Sequence, residues 1–341
     1  MTEPLLSVIV PCYNAEKFLP TCFKCFDLQN YKNLQVVFID DGSTDGTYKL
    51  LEDYCAIHPD YTLIQSQNEG VASARNKGLD AVKGELCAFH DADDVFYYDH
   101  FKLLVKAIVE NKADMAVCGI KRVSEKKVSK IDLNLRNRPA KLSFFNKIQG
   151  LEQFFSQEKF DYLLKNKIFY TEIIKKSGAR FLDGCRYGEE SFFFFRYMSY
   201  CDKTVYYKTK THVYVQRKGS LMHSMFNESR LDIYKNIDVV IKEIKESGNF
   251  NSVLPYVKVM RAGYSVGVLH FILHGKYGNS HVIAEIARTL GKDVKSLKKC
   301  PKVAFYKKMC LPVCAILAKI VFAKHMKKDK ADKTKTDGQK R

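Results

Sequence analysis

The sequence lacks tryptophan, and its 11 cysteines do not form the paired spacings of a metal site. Cys22 and Cys25 make one isolated C-x-x-C, and no second pair stands at a suitable distance, which argues against a four-ligand zinc centre. We interpret these two cysteines as neighbours on one helix face. Many unpaired cysteines are typical of a reducing cytosol rather than of a secreted disulfide framework.

Other patterns are also missing. No basic stretch followed by an apolar run stands at the N-terminus, so we expect no signal peptide. No G-x-G-x-x-G follows the first predicted strand, which argues against a nicotinamide-dependent enzyme. We find no internal repeat. The hydrophobic fraction of 46% is too high for a disordered chain.

Acidic residues are scarce relative to basic ones. The chain has 56 Lys and Arg against 38 Asp and Glu, which gives a net charge of +18. This balance favours anionic partners, namely nucleic acid, acidic lipid headgroups or nucleotide substrates. A nucleic-acid-binding protein should carry a basic stripe on its folded domain, whereas here the charge concentrates near the C-terminus. We therefore expect no nucleic-acid partner.

Apolar runs alternate with helical spacings over the first 120 residues. This alternation predicts an α/β fold with a mostly parallel sheet flanked by helices. The predicted strands are residues 5–10, 34–39, 62–65, 86–90 and 115–120, and the predicted helices are residues 16–28, 44–56, 70–82 and 101–110.

The alternation fades after residue 123. Residues 124–141 are polar and basic, as in a loop. Residues 142–225 are predicted to mix helices with short strands, for example at 204–207 and 211–216. Residues 226–291 are predicted to be mostly helical.

The strongest chemical signal is His90-Asp91-Ala92-Asp93-Asp94 at a strand end. Three carboxylates within four residues repel one another unless a cation neutralises them. Such oxygen-rich sites suit Mg²⁺ or Mn²⁺, which could also bind a diphosphate. The alternative is a solvated acidic turn that caps the following helix. The position after a buried strand favours function, because ligands of parallel sheets bind beyond the carboxyl ends of the strands.

Asp40 and Asp41 end a second predicted strand. Carboxylates in this place can accept hydrogen bonds from a base N–H or from ribose hydroxyls. The other interpretation is a turn with a helix N-cap, which suits residues 43–45 well but explains the two aspartates less well.

Two further segments have both a structural and a functional interpretation. Pro11-Cys12-Tyr13-Asn14 follows the first strand and could be an ordinary turn, since proline and asparagine favour turns. Arg75, within N-E-G-V-A-S-A-R-N, could be structural or could reach a phosphate.

Four segments, in this order and spacing, resemble glycosyltransferase family 2 over the first 120 residues: SVIVPCYNAEKFL, VVFIDDGSTDGT, NEGVASARNKGLDAVKGE and FHDADD. The resemblance implies the GT-A fold and an inverting transferase that uses a nucleotide-sugar, usually a UDP-sugar, with a divalent ion, Mn²⁺ or Mg²⁺.

The resemblance also assigns roles to residues of the first half. It implies that Asp41, helped by Asp40, recognises the base. It implies that Asp91 begins the D-x-D-D pattern and that Asp93 is the direct metal ligand. The expected nucleotide-sugar site is completed by a set of further residues, which are Pro11, Tyr13, Asn14, Arg75 and Arg217.

The second half resembles the family more loosely. The segment 164–169, LKNKIF, looks like the segment before the acceptor helix, and RYGEESFF at 186–193 looks like the G-E-D-x-x-F segment that supplies the general base. Glu190 stands where the family usually has Asp, one methylene longer, and Glu189 is the alternative base. The structural alternative is a helix N-terminus, which favours acids through its dipole.

The segment QRKGSLMHS, residues 216–224, also resembles a family segment. Arg217 and His223 are expected to contact the diphosphate as part of a flexible lid. The alternative for Arg217 is a surface cation.

The C-terminal end carries seven lysines and no acid between residues 294 and 323. Residues 309–323 are largely apolar but are too few to span a bilayer, which needs about 20. We interpret them as an interfacial anchor beside anionic headgroups. Residues 324–341 are charged and are expected to be disordered. The alternative is a last core helix with a solvated tail.

The sequence thus predicts four segments. They are a nucleotide-sugar-binding part at 1–123, an acceptor and base part at 124–225, a helical extension at 226–300 and a basic membrane-associating tail at 301–341. The expected function is sugar transfer to a glycan or lipid-linked glycan in surface polysaccharide synthesis. The expected location is cytoplasmic, peripheral at the inner face of the membrane. The alternative is a non-catalytic nucleotide-sugar-binding protein or scaffold.

Overall fold

The structure is a computed structural model that describes residues 3–136, 141–159, 161–217, 227–274, 280–301, 303 and 310–316. The strands are β1 (Leu6–Cys12), β2 (Leu34–Asp40), β3 (Tyr61–Gln65), β4 (Leu86–Phe89), β5 (Val95–Phe96), β6 (Met115–Ser124), β7 (Leu142–Asn146), β8 (Lys167–Tyr170) and β9 (Lys203–Gln216). The helices are α1 (Leu19–Asp27), α2 (Thr47–Ala56), α3 (Val71–Asp80), α4 (His100–Glu110), α5 (Lys147–Ser156), α6 (Thr171–Ser177), α7 (Glu190–Met198), α8 (Asp232–Ser247), α9 (Leu254–His274) and α10 (Ser280–Asp293). Short 3₁₀ helices include Glu125–Lys130, Glu228–Leu231 and Val294–Lys299.

The described strands form one sheet in the order β3-β2-β1-β4-β8-β6-β9-β5, and β7 pairs with β9. β1 runs parallel to β2 and β4, and β2 runs parallel to β3. β8 inserts antiparallel between β4 and β6. The predicted α/β fold, with a mostly parallel sheet flanked by helices, is confirmed. The sheet becomes mixed only in its second half, where the sequence alternation fades.

Helices cover both faces of the first strands, which explains their unbroken apolar runs. Val8 and Val10 of β1 lie in the core cluster that includes Leu19 of α1. On the other face, α3 lies so close that a Cβ added at Gly78 would stand 2.4 Å from Cγ2 of Ile9. A side chain larger than hydrogen at position 78 would push this helix off the sheet.

Several element boundaries differ from the prediction. The two short strands expected at 204–207 and 211–216 are one strand, β9, because β6 pairs with it along its whole length through a register shift at Gly119. β6 itself continues to Ser124 rather than ending at residue 120. Helix α2 begins at Thr47 rather than at residue 44, since residues 43–46 form a turn that hydrogen-bonds to the loop after β1.

The chain divides into two compact units. The sheet unit comprises Met1–Leu151 and Phe160–Ser224, and the helical unit comprises Glu152–Lys159 and Met225–Arg341. Within the helical unit, buried side chains of α8 recur at helical spacing, and the expected helical region is confirmed. Among the described helices, none has the length and apolarity needed to cross a membrane.

The functional roles predicted for the four segments stay predictions. Cys22 and Cys25 both lie buried on α1, as expected for neighbours on one helix face. Of the predicted tail, only residues 301, 303 and 310–316 are described, and the rest lies outside the described residues. Residues 310–316 are helical.

Candidate active site

The predicted site residues of the first half lie at one edge of the sheet, where β1, β2 and β4 end. Cys12 at the end of β1 pairs in register with Asp40 at the end of β2. Asp91 follows β4, which pairs with β1 on its other side. Parallel strands therefore bring residues far apart in sequence to one crevice.

Asp41 holds the loop that precedes α3. Its Oδ1 accepts the backbone N–H of Glu69 at 3.0 Å, and its Oδ2 accepts that of Gly70 at 2.8 Å. Gly70 has φ of +93°, a conformation that non-glycine residues rarely adopt. The Ser66 hydroxyl also donates to Oδ1 at 3.5 Å, so Oδ2 is the oxygen that keeps capacity for a ligand.

Asp40 is also buried, but its Oδ1 has no hydrogen-bond partner among the described residues. Buried polar atoms in proteins nearly always have a partner, either in the protein, in water or in a ligand. Asp40 therefore stands out from Asp41, although the resemblance gives Asp41 the leading role.

The loop after β1 is joined to the loop after β2. The Asn14 side chain accepts the backbone N–H of Thr44 at 2.9 Å, and the Asn14 backbone N–H donates to the Ser43 hydroxyl at 3.0 Å. Asn14 adopts φ of +47°, which asparagine tolerates in turns. Tyr13 in the same loop is 51% exposed. Pro11 lies within β1 and is partly buried. Asn14 thus has the structural role of a turn residue, while Tyr13 presents its ring to solvent.

Asp91, Asp93 and Asp94 form what we call the acid cluster. One carboxylate oxygen from each lies within 4.8 Å of the others, an arrangement that could hold a metal ion. The Asp94 side chain is fully buried, whereas those of Asp91 and Asp93 are 29% and 39% exposed. The cluster is therefore open to solvent on the side of Asp91 and Asp93.

Three buried cations surround the acid cluster. The Lys165 ammonium lies 2.5 Å from Asp91 Oδ2 and 2.5 Å from Asp94 Oδ2. Arg75 donates to Asp91 Oδ1 at 3.2 Å, and Arg217 donates to Asp93 Oδ2 at 2.7 Å. These contacts offset the repulsion among the carboxylates.

Asp94 serves as an anchor for β9. Its Oδ1 accepts the backbone N–H of Val215 at 2.8 Å, and its Oδ2 contacts His212 Nε2 at 3.2 Å. With Lys165 on the same Oδ2, both oxygens of Asp94 are engaged. Its buried position and its contacts show that it joins β9 to the end of β4.

Asp93 differs from the other two acids. Asp93 Oδ1 is the only oxygen of the six in the acid cluster without a hydrogen bond or ion pair to a described residue. Burial, together with the charges of Asp94 and Asp91, raises the pKa of Asp93 to about 6. Burial also raises the pKa of Asp91, but Lys165 and Arg75 outweigh it and hold the pKa well below its usual range. Of the three acids, Asp93 therefore has the most to gain from a bound cation, which would stabilise its ionised form.

Arg217 is buried, so its interpretation as a surface cation is wrong. Its guanidinium carbon lies 4.3 Å from the centre of the Phe18 ring, and the group also donates to the Asp93 carbonyl. Cation–π contact and burial fix the side chain beside the acid cluster. His223, the other predicted lid residue, lies outside the described residues.

The two candidate bases have different surroundings. Glu189 is buried and accepts from Arg75 Nη1 at 2.6 Å. Glu190 begins α7, is partly exposed and makes no ion pair with a described residue. Burial and the charge of Glu189 raise the pKa of Glu190 to about 8, against the opposing effect of Arg75. Arg75 therefore joins Glu189 to Asp91, while Glu190 has no ion pair within the described part of the chain.

The sequence analysis did not single out Lys165 or His212. A signal for Lys165 was present, because it stands between the apolar pairs Leu163-Leu164 and Ile168-Phe169, and lysines are almost never fully buried without a partner. For His212 we see no such signal, since alternating threonine, histidine and tyrosine residues are common in strands.

Comparisons with known proteins agree with this geometry. Residues 7–176 match the family model described as glycosyl transferase family 2. The chain is 36% identical to glycosyltransferase GlyA of Streptococcus pneumoniae serotype 4 over 117 residues, which are 34% of this chain and 17% of GlyA. It is 25% identical to the putative glycosyltransferase EpsH of Bacillus subtilis over 256 residues, 71% of each chain.

Solved structures share the fold. S. aureus TarS 1–349 in complex with UDP-GlcNAc aligns with a TM-score of 0.65 at 20% identity, covering 93% of this chain and 89% of that one. The mannosyltransferase PcManGT from Pyrobaculum calidifontis, in complex with GDP-Man and Mn²⁺, aligns with a TM-score of 0.54 at 16% identity, covering 94% of this chain and 87% of that one. The family match, the relatives and the common GT-A fold show that this chain belongs to glycosyltransferase family 2, a family of transferase enzymes.

Proposed function

We propose that the protein moves a sugar from a nucleotide-sugar, a UDP-sugar by preference, to a hydroxyl of a glycan or lipid-linked glycan, with inversion at the anomeric carbon. The observation that supports this most is the acid cluster at the carboxyl edge of the sheet, with Asp93 Oδ1 unpartnered. The TarS complex with UDP-GlcNAc and the PcManGT complex with GDP-Man and Mn²⁺ show that proteins of this fold bind such donors.

The residues present fit a divalent ion. The donors are carboxylate oxygens, which Mn²⁺ and Mg²⁺ prefer. Asp93 and Asp91 would hold the ion, since both are partly exposed while Asp94 is engaged within the fold. When bound, the ion would supply Lewis-acid stabilisation of the departing diphosphate.

The other site residues at the carboxyl edge of the sheet offer groups that can bind a nucleotide. Asp41 and Asp40 offer carboxylate oxygens to base N–H groups or ribose hydroxyls, and Asp40 Oδ1 has no other described partner. The exposed Tyr13 ring offers a face for stacking on a base. Arg217 lies beside Asp93, where its guanidinium can meet a phosphate that reaches the cluster.

Glu190 is the proposed general base, and Glu189 is a positioning residue. Glu190 makes no ion pair with a described residue and is partly exposed, so its carboxylate can take the proton of an acceptor hydroxyl as that oxygen attacks the sugar. A base is most effective when its pKa is near the working pH, and a pKa of about 8 meets this requirement. Glu189 is engaged by the buried Arg75, which leaves its carboxylate less free to take a proton from an acceptor hydroxyl.

The proposed setting is surface polysaccharide synthesis at the inner face of a membrane. Helical residues 310–316 support the anchor, because Val313 and Ile316 are 54% and 61% exposed while Leu311 and Ala315 are buried. Exposed apolar side chains beside many lysines are typical of interfacial segments. The acceptor proposed here is a glycan chain or its lipid-linked form.

The experiment that tests the function is a donor screen with the whole protein. Thermal unfolding is measured with UDP-, GDP- and dTDP-sugars, each with Mn²⁺ and with chelator, and hits are then incubated with oligosaccharide acceptors. A donor that raises the unfolding temperature only with metal, and whose sugar appears on the acceptor with inverted configuration, supports the proposal. Donor binding without transfer to any acceptor would instead support a non-catalytic binding protein.

A further inference from the structure

Two adjoining cavities lie within the helical unit, in a part of the chain to which the transfer reaction assigns no role. Their volumes are 460 and 680 Å³, within the range of ordinary ligand pockets. Both are lined by Lys258 of α9 and by Lys292 at the end of α10. The two shared residues place the cavities side by side, and together they are called the cleft.

The cleft is strongly basic. Seven Lys and Arg residues line it, against four Asp and Glu residues. Three of those acids are engaged by neighbours. Arg261 donates to Asp293 at 2.6 and 2.9 Å and also to Asp238, and Lys242 lies 3.8 Å from Glu246. The fourth acid in the lining is Glu152.

Five lysines remain, which we call the lysine cleft: Lys245, Lys258, Lys292, Lys295 and Lys299. None of them forms an ion pair with an acid among the residues that the structure describes. They come from α8, α9, α10 and the 3₁₀ helix that follows α10, so four elements converge on one concave surface. Like charges held together repel, and an anion bound between them would remove that repulsion.

We propose that the lysine cleft binds an anion with two or more phosphate groups. Lysine ammonium groups are compact charges on flexible stems, which suit phosphates without requiring one fixed geometry. One cavity has Lys245 beside the two shared lysines, and the other has Lys295 and Lys299 beside them. Each cavity can therefore neutralise one phosphate, and the shared lysines favour two phosphates that are linked.

The proposal is independent of the sugar transfer itself, because no residue of the lysine cleft belongs to the carboxyl edge of the sheet. The shared chemistry can come from two sources, a free oligophosphate group or the headgroups of an anionic bilayer. The experiment has one arm for each source.

The first arm measures binding of sodium tripolyphosphate to the whole protein by calorimetry, with chelator present so that no metal holds phosphate at the acid cluster. The cleft variant is Lys258→Gln, Lys292→Gln and Lys295→Gln together. The control is Lys102→Gln, Lys175→Gln and Lys176→Gln, which removes the same charge from exposed lysines of α4 and α6. We expect the cleft variant to bind roughly a hundredfold more weakly than wild type and the control to bind as wild type does.

A second comparison needs only single substitutions, in case the triple variant does not fold. Lys299 lines the cleft, whereas its neighbour Lys298 on the same 3₁₀ helix does not, although both side chains are exposed. Lys299→Gln should weaken binding about fivefold, and Lys298→Gln should leave it unchanged.

The second arm measures co-sedimentation with phosphatidylglycerol vesicles at several salt concentrations, using the same variants. The C-terminal tail is present in all of them, so it contributes equally. Tripolyphosphate binding that only the cleft substitutions weaken supports a soluble phosphate ligand. Vesicle binding that only the cleft substitutions weaken, without tripolyphosphate binding, supports a lipid headgroup. If the cleft and control variants are equal in both arms, the proposal is wrong.

Discussion

The acid cluster of the sheet unit and the lysine cleft of the helical unit differ in how their charges are paired. In the acid cluster, three carboxylates are surrounded by three buried cations, and only Asp93 Oδ1 lacks a described partner. In the lysine cleft, none of the five lysines forms an ion pair with an acid of the described residues. Paired charges hold a backbone in place, because breaking a buried pair leaves an uncompensated charge. Unpaired charges at the surface are solvated by water, and a ligand of opposite charge can replace that water.

The same contrast separates neighbouring residues. Glu189 is paired with Arg75, whereas Glu190 is not, and Asp94 is fully engaged, whereas Asp93 is not. If the comparison is right, substitution of a paired residue should lower stability. Substitution of an unpaired residue should lower activity or binding and leave the fold intact.

The largest effect is expected at Asp93, whose Oδ1 has no partner among the described residues. Asp93→Asn should reduce transfer by about a thousandfold or more, since loss of the metal's charge stabilisation costs several kcal/mol of transition-state energy. UDP binding should weaken as well. Transfer assays and UDP calorimetry with Mn²⁺ measure both, with Asp60→Asn as an exposed control that should behave as wild type. Equal activity with Mn²⁺ and with excess chelator would show that the metal role is wrong.

The paired Lys165 should instead govern stability. Lys165→Met leaves Asp91 and Asp94 without their shared cation, which should lower the free energy of unfolding by about 3–5 kcal/mol in the absence of metal. Mn²⁺ should restore more stability to this variant than to wild type, because it replaces the missing charge.

Denaturant unfolding with and without Mn²⁺ measures the effect of Lys165→Met, and Lys106→Met on the exposed face of α4 serves as control. An unfolding free energy within 1 kcal/mol of wild type would contradict the assignment of Lys165 as a compensating charge.

The two glutamates provide the sharpest comparison. Glu190→Gln should leave donor binding and the unfolding temperature near wild type and reduce turnover about a hundredfold or more, as expected on removal of a general base. Glu189→Gln should lower stability by about 1–3 kcal/mol because Arg75 loses a charged partner. Steady-state kinetics and thermal unfolding of both variants distinguish the roles. Near-normal turnover of Glu190→Gln would indicate that Glu189, rather than Glu190, is the general base.

The smallest effect is expected in the pH profile. A base must be deprotonated to act, and the raised pKa of Glu190 moves its deprotonation from about 4.5 to about 8. Therefore log(kcat/KM) should rise with pH, about tenfold per unit, and level off near pH 8. The rising limb should disappear in Glu190→Gln. A plateau already reached at pH 5.5 in the wild-type protein would contradict this assignment.

Sequence reasoning predicted the first half of the fold well because its signals are local. Runs such as LSVIVPC and LQVVFID are apolar on both faces, and this pattern occurs where helices cover both sides of a strand. The second half of the fold was harder to predict from the sequence. β8 has only four residues and inserts antiparallel between β4 and β6, so its place depends on partners far along the chain.

The element boundaries that differed from the prediction also depend on partners far along the chain. β9 was predicted as two short strands because Lys208 and Lys210 interrupt its apolar pattern, yet pairing with β6 keeps it continuous. The start of α2 moved because Asn14 binds Thr44 and Ser43, a contact 30 residues apart that no local propensity reports.

For the site, the sequence by itself determined which carboxylates stand at strand ends: Asp40, Asp41, Asp91 and Asp93. The end of a strand can be predicted from neighbouring residues, and parallel strands bring their ends to one edge of the sheet. Only the tertiary structure decided which charges are paired. Lys165 meets Asp91 across 74 positions, and Arg75 meets Glu189 across 114. Charge pairing depends on distance in space rather than along the chain, so the roles of paired and unpaired acids follow from the fold alone.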